Sequence, residues 1–275
     1  MTANTTPAHR GGGSVGLMAL TLPLVIFLAL PVMALIARAV LGGGLERALG
    51  SQVVLDALAL SLATTAVSLG FTLALGTPLA YVLARRSFRG SSIVEAIVDL
   101  PIVLPPSVAG LALLLVLGRR GVLGGALDVL GISIPFTTVA VILAQTFVAA
   151  PFFIRSARAG IAAVDRDIED AARVDGASER DVFRWVTAPL AGAALAAGAV
   201  MSWSRALGEF GATIMFAGNI EGRTQTLPLV VYAEFGGGDL DASIAAAAIL
   251  VLAAFGVLVS VRLLRWGRAL DIRGA

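Results

Sequence analysis

Residues Asp165 to Pro189 read DRDIEDAARVDGASERDVFRWVTAP, a charged segment between two long apolar ones. It holds seven of the chain's 18 acidic residues, Asp165, Asp167, Glu169, Asp170, Asp175, Glu179 and Asp181, and four arginines, Arg166, Arg173, Arg180 and Arg184. In a chain that is 58% hydrophobic, such a segment lies in water. Its pattern predicts that it is also folded. Apolar residues recur at Ile168, Ala171, Ala172 and Val174, and again at Val182, Phe183 and Val186, the spacing of two short amphipathic helices separated by Gly176. Asp165 or Asp167 can cap the first helix, and Ser178, followed by Glu179 and Asp181, can cap the second. Pro189 then opens the next apolar run, where its missing N–H does little harm.

Working outward, composition sets the class. Only 14% of the 275 residues are charged, against about 25% in soluble domains. With a mean hydropathy of +0.93, the expected fold is all-α, a polytopic membrane helix bundle. Cysteine is absent, so there is no disulfide or thiolate chemistry. The single histidine, His9, lies in a polar N-terminal stretch, which excludes a His/Cys metal site; none is expected. All 20 basic residues are arginines. Without lysine the chain can build neither a Walker A loop nor a Schiff base, so it cannot be its own P-loop ATPase, and no cofactor is expected. No basic run with interleaved aromatics points to nucleic acid.

Six apolar runs follow in order: Leu17–Leu41, Val53–Ala84, Ile93–Leu117, Thr138–Ile154, Leu190–Ala217 and Ala242–Leu264. Residues 1–16 form a polar, Gly-rich tail expected to be disordered, and 267–275 form a second tail. The first run contains Pro23 and Pro31, which suggest kinks. The second carries Ser61, Thr65, Ser68 and Thr72 on one helical face. Such a stripe either lines a pathway or makes helix–helix hydrogen bonds, and packing is the commoner case. The third contains Pro101, Pro105 and Pro106, followed by Ser107, so its backbone is broken or extended there. That makes it either a site near a pathway or a kinked packing helix. In the fifth, Arg205 and Glu209 stand four apart and can pair on a helix, an intramembrane ionisable pair that is either functional or fixes helix register. The segments Arg119–Phe136 and Gly218–Asp241 read as loops, Gly-rich and polar respectively.

Arginine placement sets the orientation. With the N-terminus cytoplasmic, inside segments hold 14 arginines, outside segments five, and Arg205 falls within a span. The positive-inside bias therefore puts both termini, and Asp165–Pro189 between the fourth and fifth spans, on the cytoplasmic side.

Asp170-Ala171-Ala172, three residues, Gly176, nine residues, Val186, one residue, Ala188-Pro189 resembles the "EAA" loop of binding-protein-dependent ABC import permeases. That pattern has Glu, Ile and Leu where this chain has Asp170, Val186 and Ala188. Asp is one methylene shorter, so whatever the family's Glu holds is held less well here or is held by Glu169. Arg205-Ala206-Leu207-Gly208-Glu209-Phe210-Gly211-Ala212-Thr213, with Phe216-Ala217-Gly218-Asn219 and Gly222 to Leu229, is similar to the molybdate branch, as is Leu100 to Pro106.

The resemblance implies a permease subunit of an importer in the bacterial inner membrane, carrying molybdate or tungstate, with ATP bound and hydrolysed by a separate ATPase dimer. It implies an ATPase-coupling surface at Ile168, Glu169, Asp170, Ala171, Ala172, Asp175, Gly176, Ala177 and Phe183. Pathway or gate residues would be Pro105, Ser107, Arg205, Glu209, Phe210 and Thr213. Partners would be a second copy of the chain, the ATPase, membrane lipid and a periplasmic molybdate-binding protein docking on the outer loops. A regulatory domain found after the last span in some relatives is not expected, the sequence ending at Ala275. Rival readings are a sulfate or thiosulfate permease of the same class, an ion-coupled secondary transporter and a membrane-embedded enzyme. The last has only Asp56, Glu95, Asp99 and Glu209 as acids in or beside spans.

Overall fold

The computed structural model describes the backbone of residues 12–271 and the side chains of residues 20–259. The bulk of the expected N-terminal tail and the last four residues lie outside the described residues, but Gly12 already begins a helix. All described secondary structure is helical. Four long helices carry the bundle: α1 (Gly12–Leu41), α3 (Gln52–Arg85), α7 (Thr138–Ala162) and α13 (Leu240–Asp271). Between them lie α2 (Gly44–Leu49), α4 (Ser91–Val103), α5 (Pro106–Leu117), α6 (Gly124–Val129), α8 (Arg166–Val174), α9 (Glu179–Leu190), α10 (Gly192–Leu207), α11 (Gly211–Phe216) and α12 (Leu227–Gly237). Counting each bent pair as one span gives six spans.

Two helix pairs are sharply bent, one within the third run and one where the charged segment enters the fifth. α4 and α5 meet at 119°, and α9 and α10 at 76°. Of the three prolines in the third run, Pro101 sits buried inside α4, while the break falls at Leu104–Pro105 and Pro106 takes the first position of α5. There its missing N–H removes no helical bond. The fifth run is not one helix over Leu190–Ala217. α10 has 16 residues, so it rises about 24 Å, short of a hydrocarbon core of about 30 Å. After Gly208–Phe210 the chain restarts as α11.

Two other expectations change. Gly218–Asp241 is not simply a polar loop: it contains α12, whose Leu227, Pro228, Leu229 and Val230 are buried. Pro228 in its first turn and Leu227 against Val54, Ala246 and Ile249 explain why a helix forms there. The fourth span continues two turns past Ile154, to Ala162.

The hydroxyl stripe of α3 packs inward. Ser61, Thr65, Ser68 and Thr72 are all buried. Ser61 Oγ accepts the N–H of Leu227 at 2.8 Å, and Thr146 donates to Ser68 Oγ at 3.0 Å. Small residues let α10 approach α7. A side-chain carbon on Gly198 would stand 2.8 Å from Ser156 Cβ, and Ser156 Oγ donates to the Ala194 carbonyl at 2.8 Å. In lipid, where apolar surface gains little by pairing, such close contacts and interhelical bonds hold helices together.

Candidate functional site

The water-facing segment folds as its capping residues dictate. Asp165 accepts the Asp167 N–H at 3.0 Å to start α8, and Ser178 Oγ accepts the Asp181 N–H at 3.3 Å to start α9. Between them Gly176 adopts φ 92°, and the Ala177 N–H returns to the Ala172 carbonyl at 3.0 Å. This closure of a helix end favours glycine. Within α9 the stretch Phe183–Thr187 widens to a π-helical turn.

That turn brings Thr187 under α8. Thr187 Oγ1 donates to Glu169 Oε1 at 2.6 Å, and Arg85, at the end of α3, donates to the same oxygen at 2.8 Å and to the Val164 carbonyl at 3.0 Å. The side chains of Arg85 and Glu169 are 8% and 2% exposed, so this pair is the internal anchor of the segment. Asp170 has the opposite placement: its side chain is 66% exposed and pairs with Arg173 at 2.6 Å.

Arg173 also grips Glu179 through Nε at 2.7 Å and Nη2 at 3.2 Å, tying α8 to α9. The hydrogen bond from Arg173 holds the Glu179 carboxyl below its ordinary range, and the two acids push the guanidinium further up. The Tyr81 and Phe183 rings meet edge to face at 5.4 Å, seating Phe183 against α3. Turned outward are Ile168, Val174 and Trp185, with Ala171, Asp175 and Gly176; Ala172 and Ala177 are half-buried. Three large apolar side chains thus stand exposed in a charged surface, more than a solvated face needs.

The second group gathers where the two broken spans cross. Arg205 Nη2 lies 2.6 Å from Glu209 Oε2, so the expected pair forms even though the helix ends at Leu207. Glu209 is buried, and its Oε1 accepts the Ala212 N–H at 2.8 Å, capping α11. α11 then runs along α5 with no space between: a side-chain carbon on Gly211 would lie 2.7 Å from Pro106 Cβ, and one on Gly110 would lie 2.6 Å from the Ala212 carbonyl oxygen. Pro105 and Ser107 are exposed beside this crossing, Phe210 packs on the Tyr232 ring at 4.9 Å, and Thr213 is buried, its hydroxyl without a hydrogen-bond partner among the described residues.

Arg85, Thr187 and Tyr232 were not among the residues expected to matter. No spacing rule links Arg85 to Glu169, 84 residues away. Glu169 was expected on the coupling surface but points into the protein.

The chain is thus a multi-span helical bundle with interrupted helices at its crossing and a charged, folded helix pair between two of its spans. A family model described as "Binding-protein-dependent transport system inner membrane component" matches residues 76–267, and the chain belongs to that family. It is thus an inner-membrane, multi-pass component of an importer, not itself the ATPase, and an ATPase subunit and a periplasmic binding protein are its partners. It is 37% identical over 247 residues to the "Probable transport system permease protein NifC" of Clostridium pasteurianum, covering 90% of this chain and 86% of that one. It is 42% identical to the molybdenum transport system permease protein ModB of Mycobacterium tuberculosis, covering 74% and 77%. With ModB of Escherichia coli K12 the identity is 37%, covering 78% and 94%. Among solved structures, a bacterial ABC transporter involved in import of the acidic polysaccharide alginate superposes with a TM-score of 0.74 at 19% identity, covering 90% of this chain and 94% of that one. The MetNI methionine ABC transporter gives 0.59 at 22%, covering 78% and 95%. Both likenesses concern the fold alone.

Proposed function

We propose that two copies of this chain form the membrane pathway of a molybdate importer, with Asp165–Pro189 seated in the ATPase subunits on the cytoplasmic face. The observation that carries the coupling role is the Arg85–Glu169–Thr187 anchor. It makes the segment rigid against α3, so a push on its outward face moves a transmembrane helix rather than bending a loop. Ile168, Asp170, Ala171, Asp175 and Gly176 then meet the ATPase, while Glu169 and Phe183 hold the segment to the bundle. Closure of the ATPase dimer draws the two segments together and turns the pathway outward.

At the crossing, Pro105, Ser107, Phe210 and Thr213 border the pathway, and the Arg205–Glu209 pair holds the break between α10 and α11. The identities to molybdenum permeases over most of the chain support molybdate as the cargo. Selectivity resides mainly in the binding protein, because the permease need hold the anion only weakly.

The test is uptake of labelled molybdate into vesicles bearing this chain, its ATPase and its binding protein, with ATP on the ATPase side. Saturable, ATP-dependent uptake blocked by tungstate and resistant to moderate sulfate supports the reading. Equal block by sulfate moves the cargo to sulfate, and uptake driven by an ion gradient without ATP overturns the mechanism.

A further inference from the structure

In the proposed orientation α4 is the inner half of the third span, and it is held to the bundle mainly on one side. Among the described residues it packs chiefly on α7. Val98 reaches the core formed by Ala80, Phe153, Ala157 and Ile161, and Pro101 is buried, while Ile93, Ile97, Leu100 and Val103 stand exposed. Apolar contact alone leaves the register of α4 on α7 weakly fixed.

Two ion pairs complete the contact. Arg158 Nη2 lies 2.9 Å from Glu95 Oε1, and Arg155 Nε lies 3.8 Å from Asp99 Oδ1. Acids four apart on α4 thus meet arginines three apart on α7 in reverse order, the pattern of two antiparallel helices facing each other. These four side chains make no other hydrogen bond or ion pair among the described residues. They are 32% to 63% exposed, against 8% and 2% for Arg85 and Glu169. Pairs so exposed contribute little to folding stability, yet opposite charges at matched spacing select one register over its neighbours.

α7 is the helix that leads into the charged segment. Near its inner end Ala157, Ile161 and Val164 pack with Ala80 of α3 and with Ala191, and the Val164 carbonyl takes the Arg85 bond at 3.0 Å. Asp165, the cap of α8, follows at once. At its other end α4 turns through Leu104 and Pro105 into α5, whose Gly110 lies against α11. A displacement of the charged segment that moves α7 therefore reaches the break from its inner side only if α4 keeps its register on α7.

We infer that Glu95, Asp99, Arg155 and Arg158 form a charge ladder that keeps the inner half of the broken third span in step with α7, as positioning residues for transport. The inference rests on the coupling reading and adds to it the side chains through which movement of the charged segment is passed to the break. The two sets of charges divide the work by burial. The buried Arg85–Glu169 pair locks the segment to α3, while the half-exposed ladder sets where α4 sits without holding the fold together.

The test uses vesicles bearing this chain with its ATPase and binding protein, in which labelled molybdate uptake and ATP hydrolysis are measured together. Each variant then yields the molybdate moved per ATP. E95Q/D99Q keeps the side-chain shapes and removes the attraction. Its melting temperature in detergent and its ATPase stimulation by binding protein stay near wild type, while molybdate per ATP falls about tenfold, and R155Q/R158Q behaves in the same way. The exchanged variant E95R/D99R/R155E/R158E rebuilds the ladder with its signs reversed, keeps two arginines on the inner side, and restores most of the lost ratio. Should the exchange impair insertion, E95Q/D99Q/R155Q/R158Q decides instead: with the pairs already gone, it loses no more than either double variant. A wild-type ratio in E95Q/D99Q overturns the ladder. So does a loss confined to R155Q/R158Q, which would make the arginines a contact for the anion. A parallel fall of melting temperature, hydrolysis and uptake overturns it too, by making the pairs part of the fold alone. Uptake without ATP in the wild-type complex, by contrast, overturns the coupling reading itself.

Discussion

Removing the charge of Glu169 leaves the Arg85 guanidinium buried without a counter-ion, whereas removing that of Asp170 leaves an arginine that still holds Glu179. Breaking a buried pair from one side costs about 3–5 kcal/mol, while a solvent-exposed pair contributes little. Glu169→Ala or Arg85→Met is therefore expected to lower thermal stability and abolish co-purification with the ATPase. Asp170→Asn should leave stability near wild type, and any loss of uptake in it reports the contact with the ATPase. Stability is read by thermal unfolding in detergent, and a wild-type melting temperature for Glu169→Ala would remove the anchor from the account. The pair at the crossing follows the same logic. Arg205→Met strands the buried Glu209 carboxylate, so it should harm uptake more than Arg205→Met with Glu209→Gln, where the side-chain oxygen can still cap α11. Couplings between touching residues run to about 0.5–3 kcal/mol, and purely additive losses would show the two to be independent.

At the scale of elements, the crossing of α5 and α11 depends on two glycines that leave no room for a side chain. Gly110→Val and Gly211→Val each force α5 and α11 apart, and overpacking of this kind costs about 1–3 kcal/mol. Such variants should insert and express but lose most transport, measured as molybdate uptake against protein level in the membrane. Full uptake by both would mean that the crossing tolerates separation. The same crossing shows where sequence reading stops. Long apolar runs define α1, α3, α7 and α13 because length and hydropathy are local properties. The caps of α8 and α9 were legible for the same reason: Asp165 and Ser178 act on N–H groups two and three residues away. The break at Gly208–Phe210 was not, because the four-residue spacing of Arg205 and Glu209 reads as one continuous helix and the apolar run resumes at Phe210. It is stabilised by the turned Glu209 carboxylate and by Pro106 from another span. α12 was hidden for a different reason: Glu221, Arg223 and Glu234 make its surroundings look polar, while its apolar residues find their partners on α3 and α13. Glu169 and Asp170 are adjacent acids with opposite environments, a difference that only Arg85 and Thr187 reveal.

For the whole molecule, orientation decides whether the two faces can do what is proposed of them, and the absence of cysteine makes it directly measurable. The bias of 14 inside arginines to five outside predicts that α8 and α9 face the cytoplasm and α6 the periplasm. Val174 on α8 and Val129 on α6 are 87% and 88% exposed, so a cysteine at either should react freely with a membrane-impermeant maleimide without disturbing packing. Val129→Cys is expected to label in cells whose outer membrane has been opened, and Val174→Cys only after the inner membrane is permeabilised. In the assembled complex Val174→Cys should also be shielded by the ATPase, because the side chain belongs to the proposed docking face. Labelling of Val174→Cys from the periplasm would reverse the orientation and remove the coupling role with it. Labelling from the cytoplasm that the ATPase does not slow would keep the orientation and deny that α8 enters the ATPase. The two readouts therefore separate the topology of the bundle from the function assigned to its water-facing segment.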